Sequence, residues 1–416
     1  MPRRESSFYK ASEGQPPAQR LREQEASLRI LLVKAADSSP AVRAALTSAR
    51  VSPSSITIED LQRLPLVRKE QLPLLQSNAL PFGGWLGARL GDLRRIFVSP
   101  GPIYDPEGHE PDYWGFAPAL HAAGFRRGML VLNTFSYHLT PAGAMFDGAL
   151  AVLGCVTIPS GVGSLEIQVK TMLDLGVSGF IGTPSFLATL LAKVAETRAD
   201  SPLRVAFVSG EGLAESQRRD LEARSPLRIS QGYAVGDLGL IAYECPERTG
   251  LHVDDRVIVE LVDQSGALAA GEDVAEVAVT FLSHVYPLLR LATGDLSQMA
   301  AGQCPCGRTA PRLAGIMGRI GEAIKVRGLF LYPHDLDRAV ARHSEVRRYQ
   351  AVITRPELAD ELTIRVESDA EDRDALAAAV AESVQAATRL QAQVEVVRPG
   401  AVWVEDKKIV DRRTWE

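Results

Sequence analysis

The chain has 416 residues, of which 46% are hydrophobic and 23% charged, a balance typical of a folded globular protein rather than a disordered one. Its formal net charge of −5 argues against the concentrated basic face that nucleic-acid binding requires, so we predict no nucleic-acid partner. Four cysteines are too few for a disulfide framework, and neither a membrane-spanning apolar run nor a secretory signal is apparent, so we expect a cytoplasmic protein without a membrane partner.

The first 90 residues predict a helical lead-in. Residues 1–25 are polar. Leu, Val and Ala then recur at helical spacing in "ASLRILLVKAADSSPAVRAALTSA".

From about residue 127, short β-rich runs alternate with helical stretches. The runs are "GMLVLNTF", "GCVTIPS", "VSGFIGT" and "LRVAFVSGE". Each is followed by a Gly or Pro turn and then a helical stretch, which is the pattern of a mostly parallel sheet covered by helices. Between about residues 229 and 315 the strands follow one another as in an antiparallel sheet, which predicts a smaller β subdomain.

The end of the chain predicts a compact α+β unit. "DLDRAVARH" and "DALAAAVAESVQAATRL" have helical patterns, whereas "YQAVITRP", "LTIRVES" and "AQVEVVRP" have strand patterns. The predicted fold is therefore α/β, with a large N-terminal domain over residues 1–319 and a small α+β C-terminal domain over residues 320–416. The large domain contains mixed, mostly parallel sheets plus the β subdomain.

Three of the four cysteines and one histidine form a candidate metal site. Cys245 and His252 flank a turn in "YECPERTGLHVDD", and Cys304 and Cys306 are one residue apart in "GQCPCGR". Zinc prefers four tetrahedral thiolate and imidazole ligands, and a closed set of four is structural because a catalytic zinc keeps one position open. The spacing alone leaves two interpretations, a structural zinc site or four unrelated surface and core residues.

Several motifs resemble, in order, those of the phenylacetate-CoA ligase family, a branch of the AMP-forming adenylate-forming superfamily. They are "LNTFSYHLTPAGAMFDGALAVLGCVTIP", "GFIGTPSFL", "VAFVSGEGL", "QGYAVGDLGLIAYEC", "YPLLRLATGDLS" and "CPCGRTAPRLAGIMGRIGEAIKVRGLFLYP". The resemblance extends from about residue 90 to the end of the chain. It implies an N-terminal adenylation domain, a mobile C-terminal domain, and in some members a structural Zn²⁺ at the four positions named above.

The resemblance also implies a reaction and its cofactors. The carboxylic acid and ATP give acyl-AMP and pyrophosphate, and a thiol, usually coenzyme A, then displaces AMP. ATP, Mg²⁺ and coenzyme A are therefore expected, with an aryl or small carboxylic acid as substrate. A homodimer is common in the family, but the residues themselves do not indicate one.

Nucleotide-binding roles follow from the matching positions. The resemblance implies that Asp295 accepts hydrogen bonds from the ribose hydroxyls, that Tyr233 stacks on adenine, and that Asp237 holds Mg²⁺ on the phosphates. The turn "VSGEG" matches the adenine side of the site, and "GRIGEAIKVRG" matches the hinge, with Gly321 in place of the usual acid. The residues implied in this way are Ser209, Gly210, Glu211, Tyr233, Asp237, Asp295 and Arg319.

Two departures from the family affect the phosphate side. The family has Ser or Thr where this chain has Gly236, and Glu where it has Asp237. In "FVSPGPIYDPEG" three prolines replace a Ser/Thr/Gly-rich loop ending in lysine, and proline has no amide to donate to phosphate. Ser99, Gly101 and Tyr104 remain candidate nucleotide contacts. Alternatively, the segment is a rigid turn that only caps the site.

The catalytic and substrate residues are assigned by the same resemblance. The family supplies a lysine near the C-terminus, and "VEDKKIVDRRTWE" offers Lys407 and Lys408. The pattern of a lysine, two β-branched residues and an aspartate favours Lys408. The segment that lines the acid pocket in the family contains Phe135, Tyr137 and His138, although aromatic residues after a strand are also ordinary core residues.

The sequence therefore predicts an AMP-forming ligase that transfers an aryl or small acyl group to a thiol, most simply coenzyme A. A second hypothesis is that the protein is a non-catalytic nucleotide-binding homologue, and the altered phosphate loop is the main argument for it. A third is an adenylating enzyme whose acceptor is an amine or a carrier protein.

Overall fold

A computed structural model of the chain describes residues 8–99, 102–269, 273–320, 324–327, 329–354, 360–401 and 407–413. The chain divides into two compact units, Met1–Ile316 and Met317–Glu416. None of the helices in these ranges combines the length and apolar content needed to cross a lipid bilayer.

The helices of the described part, named α1 to α10 in chain order, are Pro17–Ser38, Pro40–Ala49, Leu72–Asn78, Ala117–Ala123, Ala142–Leu153, Leu165–Leu175, Pro184–Glu196, Glu215–Ala223, Pro333–Val340 and Arg373–Thr388. The strands, β1 to β20, are Val67–Arg68, Arg95–Ser99, Ile103–Glu107, Leu130–Asn133, Val156–Pro159, Gly179–Gly182, Val205–Val208, Arg228–Val235, Gly239–Glu244, Leu251–Val253, Val257–Val262, Ala275–Phe281, Leu291–Met299, Arg312–Arg319, Ile324–Val326, Leu329–Leu331, Val346–Thr354, Glu361–Ser368, Gln393–Val397 and Ile409–Asp411.

One 12-stranded sheet runs through the large unit, in the order β11-β12-β13-β14-β10-β9-β8-β7-β6-β4-β5, with β1 paired beside β13. Strands β4 to β8 pair in parallel, and β8 then pairs antiparallel with β9. The predicted α/β fold class is therefore confirmed. The antiparallel strands continue the parallel sheet rather than forming a separate one.

Alternating residues place the parallel strands between two helical layers. Val131, Ile181 and Phe207 pack with α4 and α5 on one face. Leu132 and Phe180 face the opposite layer, formed with α6, α7 and α8. Because side chains alternate along a strand, a strand buried on both faces needs apolar residues at every position, which explains the continuous apolar runs in this part of the sequence.

The helical lead-in packs on the antiparallel half of the sheet. Buried residues of α1 and α2, such as Leu32 and Leu46, share a core with residues of β11, β12 and β13. Helix α1 ends at Ser38 because Pro40 disfavours helical geometry in the residue before it, and the Ser39 hydroxyl then accepts a hydrogen bond from the Val42 amide at the start of α2.

The small unit contains a four-stranded sheet in the order β19-β18-β17-β20. Strand β17 pairs antiparallel with β18 and parallel with β20. The apolar faces of α9 and α10, with Leu336, Val380 and Val384, cover this sheet and give the unit its own core.

A buried ion pair joins α8 to the sheet. Arg218 Nη2 lies 2.6 Å and Nη1 2.8 Å from the two carboxylate oxygens of Glu244. Arg218 Nη1 also donates to the Ile229 carbonyl at 3.0 Å. The Gln231 amide donates to Glu244 at 3.0 Å, so this pair connects α8, β8 and β9.

Replacing Glu244 by Gln is expected to lower the free energy of unfolding by about 3–5 kcal/mol, because it removes the buried carboxylate that pairs with the Arg218 guanidinium and leaves the exposed Glu215 as its ion-pair partner. Urea denaturation would measure this loss. The matched control is Glu395→Gln, which breaks the exposed pair with Arg365 and is expected to cost less than about 1 kcal/mol. Equal losses for the two variants would contradict the argument.

Candidate functional site

The predicted nucleotide residues of the large unit lie at the carboxyl ends of neighbouring parallel strands. Strands β6, β7 and β8 are adjacent and parallel, and each ends at the same edge of the sheet. Thr183 follows β6, Ser209 follows β7, and Asp237 follows β8. Ligands of open α/β sheets bind in crevices at this edge, so the topology favours a binding site here.

The turn after β7 is held by hydrogen bonds to both neighbouring strands. Ser209 Oγ donates to the Gly232 carbonyl of β8 at 2.8 Å. Glu211 accepts from the amide and the hydroxyl of Ser185 at 3.2 and 2.9 Å, at the first turn of α7. Gly210 has a φ of +83°, a backbone conformation that glycine adopts without strain. The predicted adenine-side turn is therefore a fixed element.

Tyr233 and Asp295 meet although they come from strands that are not neighbours in the sheet. Tyr233 Oη lies 2.9 Å from Asp295 Oδ2 and 2.9 Å from Thr293 Oγ1. The Asp295 amide donates to Thr293 Oγ1 at 3.1 Å. The Tyr233 ring packs in the core of the large unit, and its hydroxyl contacts the Asp295 carboxylate. The arrangement orients the half-buried carboxylate of Asp295.

Asp237 belongs to a buried cluster that also contains Lys69, Asp105 and Ser99. Lys69 Nζ lies 2.6 Å from Asp237 Oδ2, and the Asp237 side chain is 0% exposed. Ser99 Oγ donates a short hydrogen bond to Asp105 Oδ2. Burial raises the pKa of Asp105 to about 8, and the adjacent Asp237 carboxylate adds to this shift. Asp105 Oδ1 and Asp237 Oδ1 are buried without a hydrogen-bond partner in the described part of the chain.

Sequence reasoning missed Lys69 and Asp105 as site residues. Lys69 belongs to the lead-in, in a short 3₁₀ turn before α3. Asp105 lies on β3 of the hairpin formed by the proline-rich segment, where Ser99 pairs with Ile103 and Phe97 with Asp105. Asp105 can be read in the proline-rich segment of the sequence, but no local sequence pattern indicates that its side chain lies next to Asp237. Gly101 lies outside the described residues.

The hairpin explains the glycine at position 236. A Cβ atom added to Gly236 would lie 2.7 Å from Ser99 Oγ and 3.7 Å from Asp105 Oδ2. The Ser99 hydroxyl therefore occupies the space that a side chain at position 236 would need. Ser99, one of the residues predicted to contact the nucleotide, instead donates to Asp105 in this structure, and Tyr104 bonds to Gln76 through its backbone.

The predicted substrate residues follow β4. The ring of Phe135 stacks on Phe146 with centroids 5.1 Å apart, and a Cβ at Gly210 would lie 3.7 Å from the Phe135 ring. The pocket candidate and the adenine-side turn are thus neighbours. Tyr137 Oη donates to Asp147 at 2.8 Å, and His138 is exposed.

Arg319 and the two candidate catalytic lysines belong to the small unit. Lys408 precedes β20, and its Nζ lies 2.6 and 2.8 Å from the two carboxylate oxygens of Asp337. Lys407 is exposed, and its carbonyl accepts from Gln350 at 2.9 Å. Arg319 ends β14. The predicted hinge residue Gly321 lies outside the described residues.

The four candidate zinc ligands converge from three chain segments. The ligand atoms of Cys245, His252, Cys304 and Cys306 all lie within 4.8 Å of one another. The Cys245 and Cys304 sulfurs are 3.5 Å apart, as are Cys306 Sγ and His252 Nε2. Zn–S bonds of 2.3 Å at tetrahedral angles imply sulfur separations of about 3.8 Å. The cluster therefore has nearly the dimensions of a zinc site.

The electrostatics of the cluster also fit a metal. Burial lowers the pKa of His252 to about 4, and Arg308 and Arg312 add to the shift, so its imidazole is neutral at pH 7, as a ligand must be. Burial raises the pKa of the Cys245 thiol to about 12 in the absence of a metal, so a bound cation would have to displace the thiol proton. The Arg308 amide donates to Cys306 Sγ at 3.4 Å, a contact that suits a thiolate.

Gly236→Ser is expected to lower the free energy of unfolding by about 1–3 kcal/mol, because the new side chain overpacks against Ser99. In a Ser99→Ala background the obstructing hydroxyl is absent, and the same substitution is expected to cost less than about 1 kcal/mol. Urea denaturation of wild type, both single variants and the double variant measures this coupling. An equal cost in both backgrounds would show that Ser99 does not exclude a side chain at position 236.

Known proteins resemble the chain in sequence and in fold. Residues 328–413 match the AMP-binding enzyme C-terminal domain family. The chain is 30% identical over 371 residues to a phenylacetate-coenzyme A ligase of Thermus thermophilus. The aligned region covers 84% of this chain and 82% of that protein. This match confirms the family resemblance of the sequence motifs.

Two solved structures of a 2-hydroxyisobutyryl-CoA ligase are also similar. The ligase in its postadenylation state with R3-HIB-AMP matches with a TM-score of 0.83 and 24% identity, over 99% of this chain and 94% of that one. The same ligase in its thioesterification state with 2-HIB-AMP and CoA matches with a TM-score of 0.70 and 25% identity, over the same shares. The chain belongs to the phenylacetate-CoA ligase family of the AMP-forming adenylate-forming superfamily.

Proposed function

We propose that this protein is an AMP-forming ligase that activates an aryl or small carboxylic acid with ATP and transfers the acyl group to coenzyme A. In the first step a carboxylate oxygen attacks the α-phosphorus, and pyrophosphate leaves. In the second step the thiol sulfur attacks the acyl carbon, and AMP leaves. The observation that carries the proposal is the 30% identity to a phenylacetate-coenzyme A ligase over most of both chains.

Asp295 and Tyr233 have complementary roles in this proposal. The Asp295 carboxylate accepts hydrogen bonds from the ribose hydroxyls, and Tyr233 orients it through the 2.9 Å contact to Oδ2. The fixed turn of Ser209, Gly210 and Glu211 borders the adenine. Phe135 lies beside this turn, so the acid pocket and the adenine side adjoin, as the transfer of an acyl group to AMP requires.

The phosphates lie on the side of Asp237. Its buried carboxylate oxygen without a hydrogen-bond partner fits a hard divalent cation, and a bound Mg²⁺ would neutralise phosphate charge. Lys69 adds a positive charge to the same cluster. In this proposal the positive charges of Mg²⁺ and Lys69 take the place of a glycine-rich loop in binding the phosphates.

Lys408 is our candidate for the catalytic cation beside the attacked carboxylate and the α-phosphate, where negative charge builds in the transition state. In the structure its ammonium pairs with Asp337, and both side chains are more than one-third exposed, so exchange of this partner for a substrate costs little. Residues 320–416 move as one body in this proposal and bring Lys408 to the acid. The compact small unit supports that assignment.

A non-catalytic nucleotide-binding homologue is the second candidate. One observation favours it: the proline-rich hairpin directs the Ser99 hydroxyl to Asp105 and closes the space beside Gly236. An adenylating enzyme with an amine or carrier-protein acceptor is a variant of the first candidate, because only the second step differs.

Pyrophosphate release from ATP and Mg²⁺, with a panel of aryl and short aliphatic acids and with or without coenzyme A, tests the activity. We expect acid-dependent release in the wild type and a loss of about 100-fold or more in Lys408→Ala, because the transition-state cation is removed. Lys407→Ala is the matched control, and its rate is expected to stay within about threefold of wild type, since an exposed neighbouring charge is weakly coupled to the site.

Two results would redirect the proposal. No release with any acid, from protein that still binds ATP, would favour the non-catalytic homologue. A loss in Lys407→Ala rather than Lys408→Ala would move the catalytic role to Lys407.

We also propose a structural Zn²⁺ at Cys245, His252, Cys304 and Cys306. Metal analysis of protein purified without chelator is expected to give about one zinc per chain. Cys304→Ser is expected to lose the zinc and to melt at a lower temperature, because the closed ligand set is broken. Cys155→Ser is the control, since Cys155 is remote from the cluster and hydrogen-bonds the Arg126 carbonyl. Zinc-free wild type would contradict the proposal.

A further inference from the structure

The hairpin acid Asp105 is held in place by the same chain segment that carries Lys69. The buried side chain of Gln76, on α3, donates to the Tyr104 carbonyl at 2.9 Å and accepts from the Tyr104 amide at 2.8 Å. Lys69, seven residues earlier, contacts Asp237. Asp105 and Asp237 are therefore positioned against each other by a packed helix rather than by a loose loop.

In each of the two buried carboxylates, one oxygen accepts a hydrogen bond from a neighbouring donor and the other does not. Ser99 donates to Asp105 Oδ2, and Lys69 donates to Asp237 Oδ2. The two Oδ1 atoms are buried and accept no hydrogen bond from an amine, amide or hydroxyl donor in the described part of the chain, and the contact between the two carboxyl groups helps to raise the pKa of Asp105. Unsatisfied buried carboxylate oxygens are costly, so native proteins rarely retain them without a ligand or a proton.

The charge of the cluster indicates which ligand fits. Two carboxylates face one ammonium, so the ionised cluster has an excess negative charge. A divalent cation with oxygen ligands compensates that charge and satisfies both free oxygens, and Mg²⁺ sites use one or two carboxylates. An anion or an apolar ligand would neither compensate the negative charge nor bind the two Oδ1 atoms.

We propose that Asp105 and Asp237 together bind one divalent cation, so that the proline-rich hairpin contributes a metal ligand. This inference deepens the proposed function, because it assigns a second protein ligand to the cation that accompanies ATP. Its consequence is specific to this chain: both carboxylates are in place before nucleotide arrives, so the cation binds to the protein alone.

Mn²⁺ titration of protein purified without chelator, in the absence of nucleotide and followed by the electron paramagnetic resonance of free Mn²⁺ at pH 8.5, tests the proposal. We expect one Mn²⁺ per chain in the wild type and at least about tenfold weaker binding in both Asp105→Asn and Asp237→Asn. Glu107→Gln is the matched control, with binding within about twofold of wild type. It changes a buried carboxylate of the same strand that pairs with Arg95 instead.

Folding is checked separately, by circular dichroism and thermal melting of each variant. Asp105→Asn removes a buried carboxylate beside another, so it is expected to fold and to melt no lower than the wild type.

Two outcomes would overturn the proposal. Folded wild type that binds no Mn²⁺ without nucleotide would mean that the two carboxyl groups share a proton rather than a cation. Unchanged affinity in Asp105→Asn, with a loss in Asp237→Asn, would leave Asp237 as the sole ligand. The measurement uses neither an acid nor turnover, so failure of the proposed ligase activity would not alter its result.

Discussion

The ion pair of Lys69 and Asp237 joins three parts of the large unit. Burial of an ionised carboxylate without a compensating charge is costly, and removing one partner of a buried ion pair costs about 3–5 kcal/mol. Lys69 therefore fixes the beginning of segment 69–78 against the turn between β8 and β9. Gln76, near the other end of that segment, holds the β2–β3 hairpin through the backbone of Tyr104. The helical lead-in thus holds both Asp237 and the β2–β3 hairpin in place.

The proline-rich hairpin and Gly236 are one coupled change. The hydroxyl of Ser99 fills the space beside Gly236, so a serine or threonine there and this hairpin compete for the same volume. Prolines remove amide donors, and the hairpin instead presents the carboxylate of Asp105. If the proposed cation binds there, the phosphates would be contacted through it, whereas a glycine-rich loop contacts phosphates directly.

The sequence was sufficient for the fold class because its signals are local, but not for the joining of the antiparallel strands to the parallel sheet. Apolar runs such as residues 130–133 and 205–208 lie in strands buried on both faces, and the sheet order follows from short crossovers. The cysteine and histidine spacing predicted a cluster whose ligand atoms do meet. The contact of Lys69 with Asp237 was beyond reach, because it joins residues 168 positions apart and no periodicity marks either one.

Residue roles were harder to predict than residue positions. The family resemblance identified Tyr233 and Asp295, and the structure brings them together. The expected stacking of Tyr233 on adenine stays a prediction, since its ring packs in the core and its hydroxyl faces Asp295. The role of a side chain depends on how deeply it is buried, and a sequence motif does not show its burial. Lys407 and Lys408 remain distinguishable only by the pattern that follows them.

The cysteine cluster also has a topological meaning. Cys245 and Cys304 are 59 positions apart, and the chain between them includes β13, the strand that carries Asp295. A metal that stays bound to these two residues would close that segment into a loop, and loop closure removes conformational entropy from the unfolded state. The strand that carries Asp295 would then lie within a crosslinked loop of the chain.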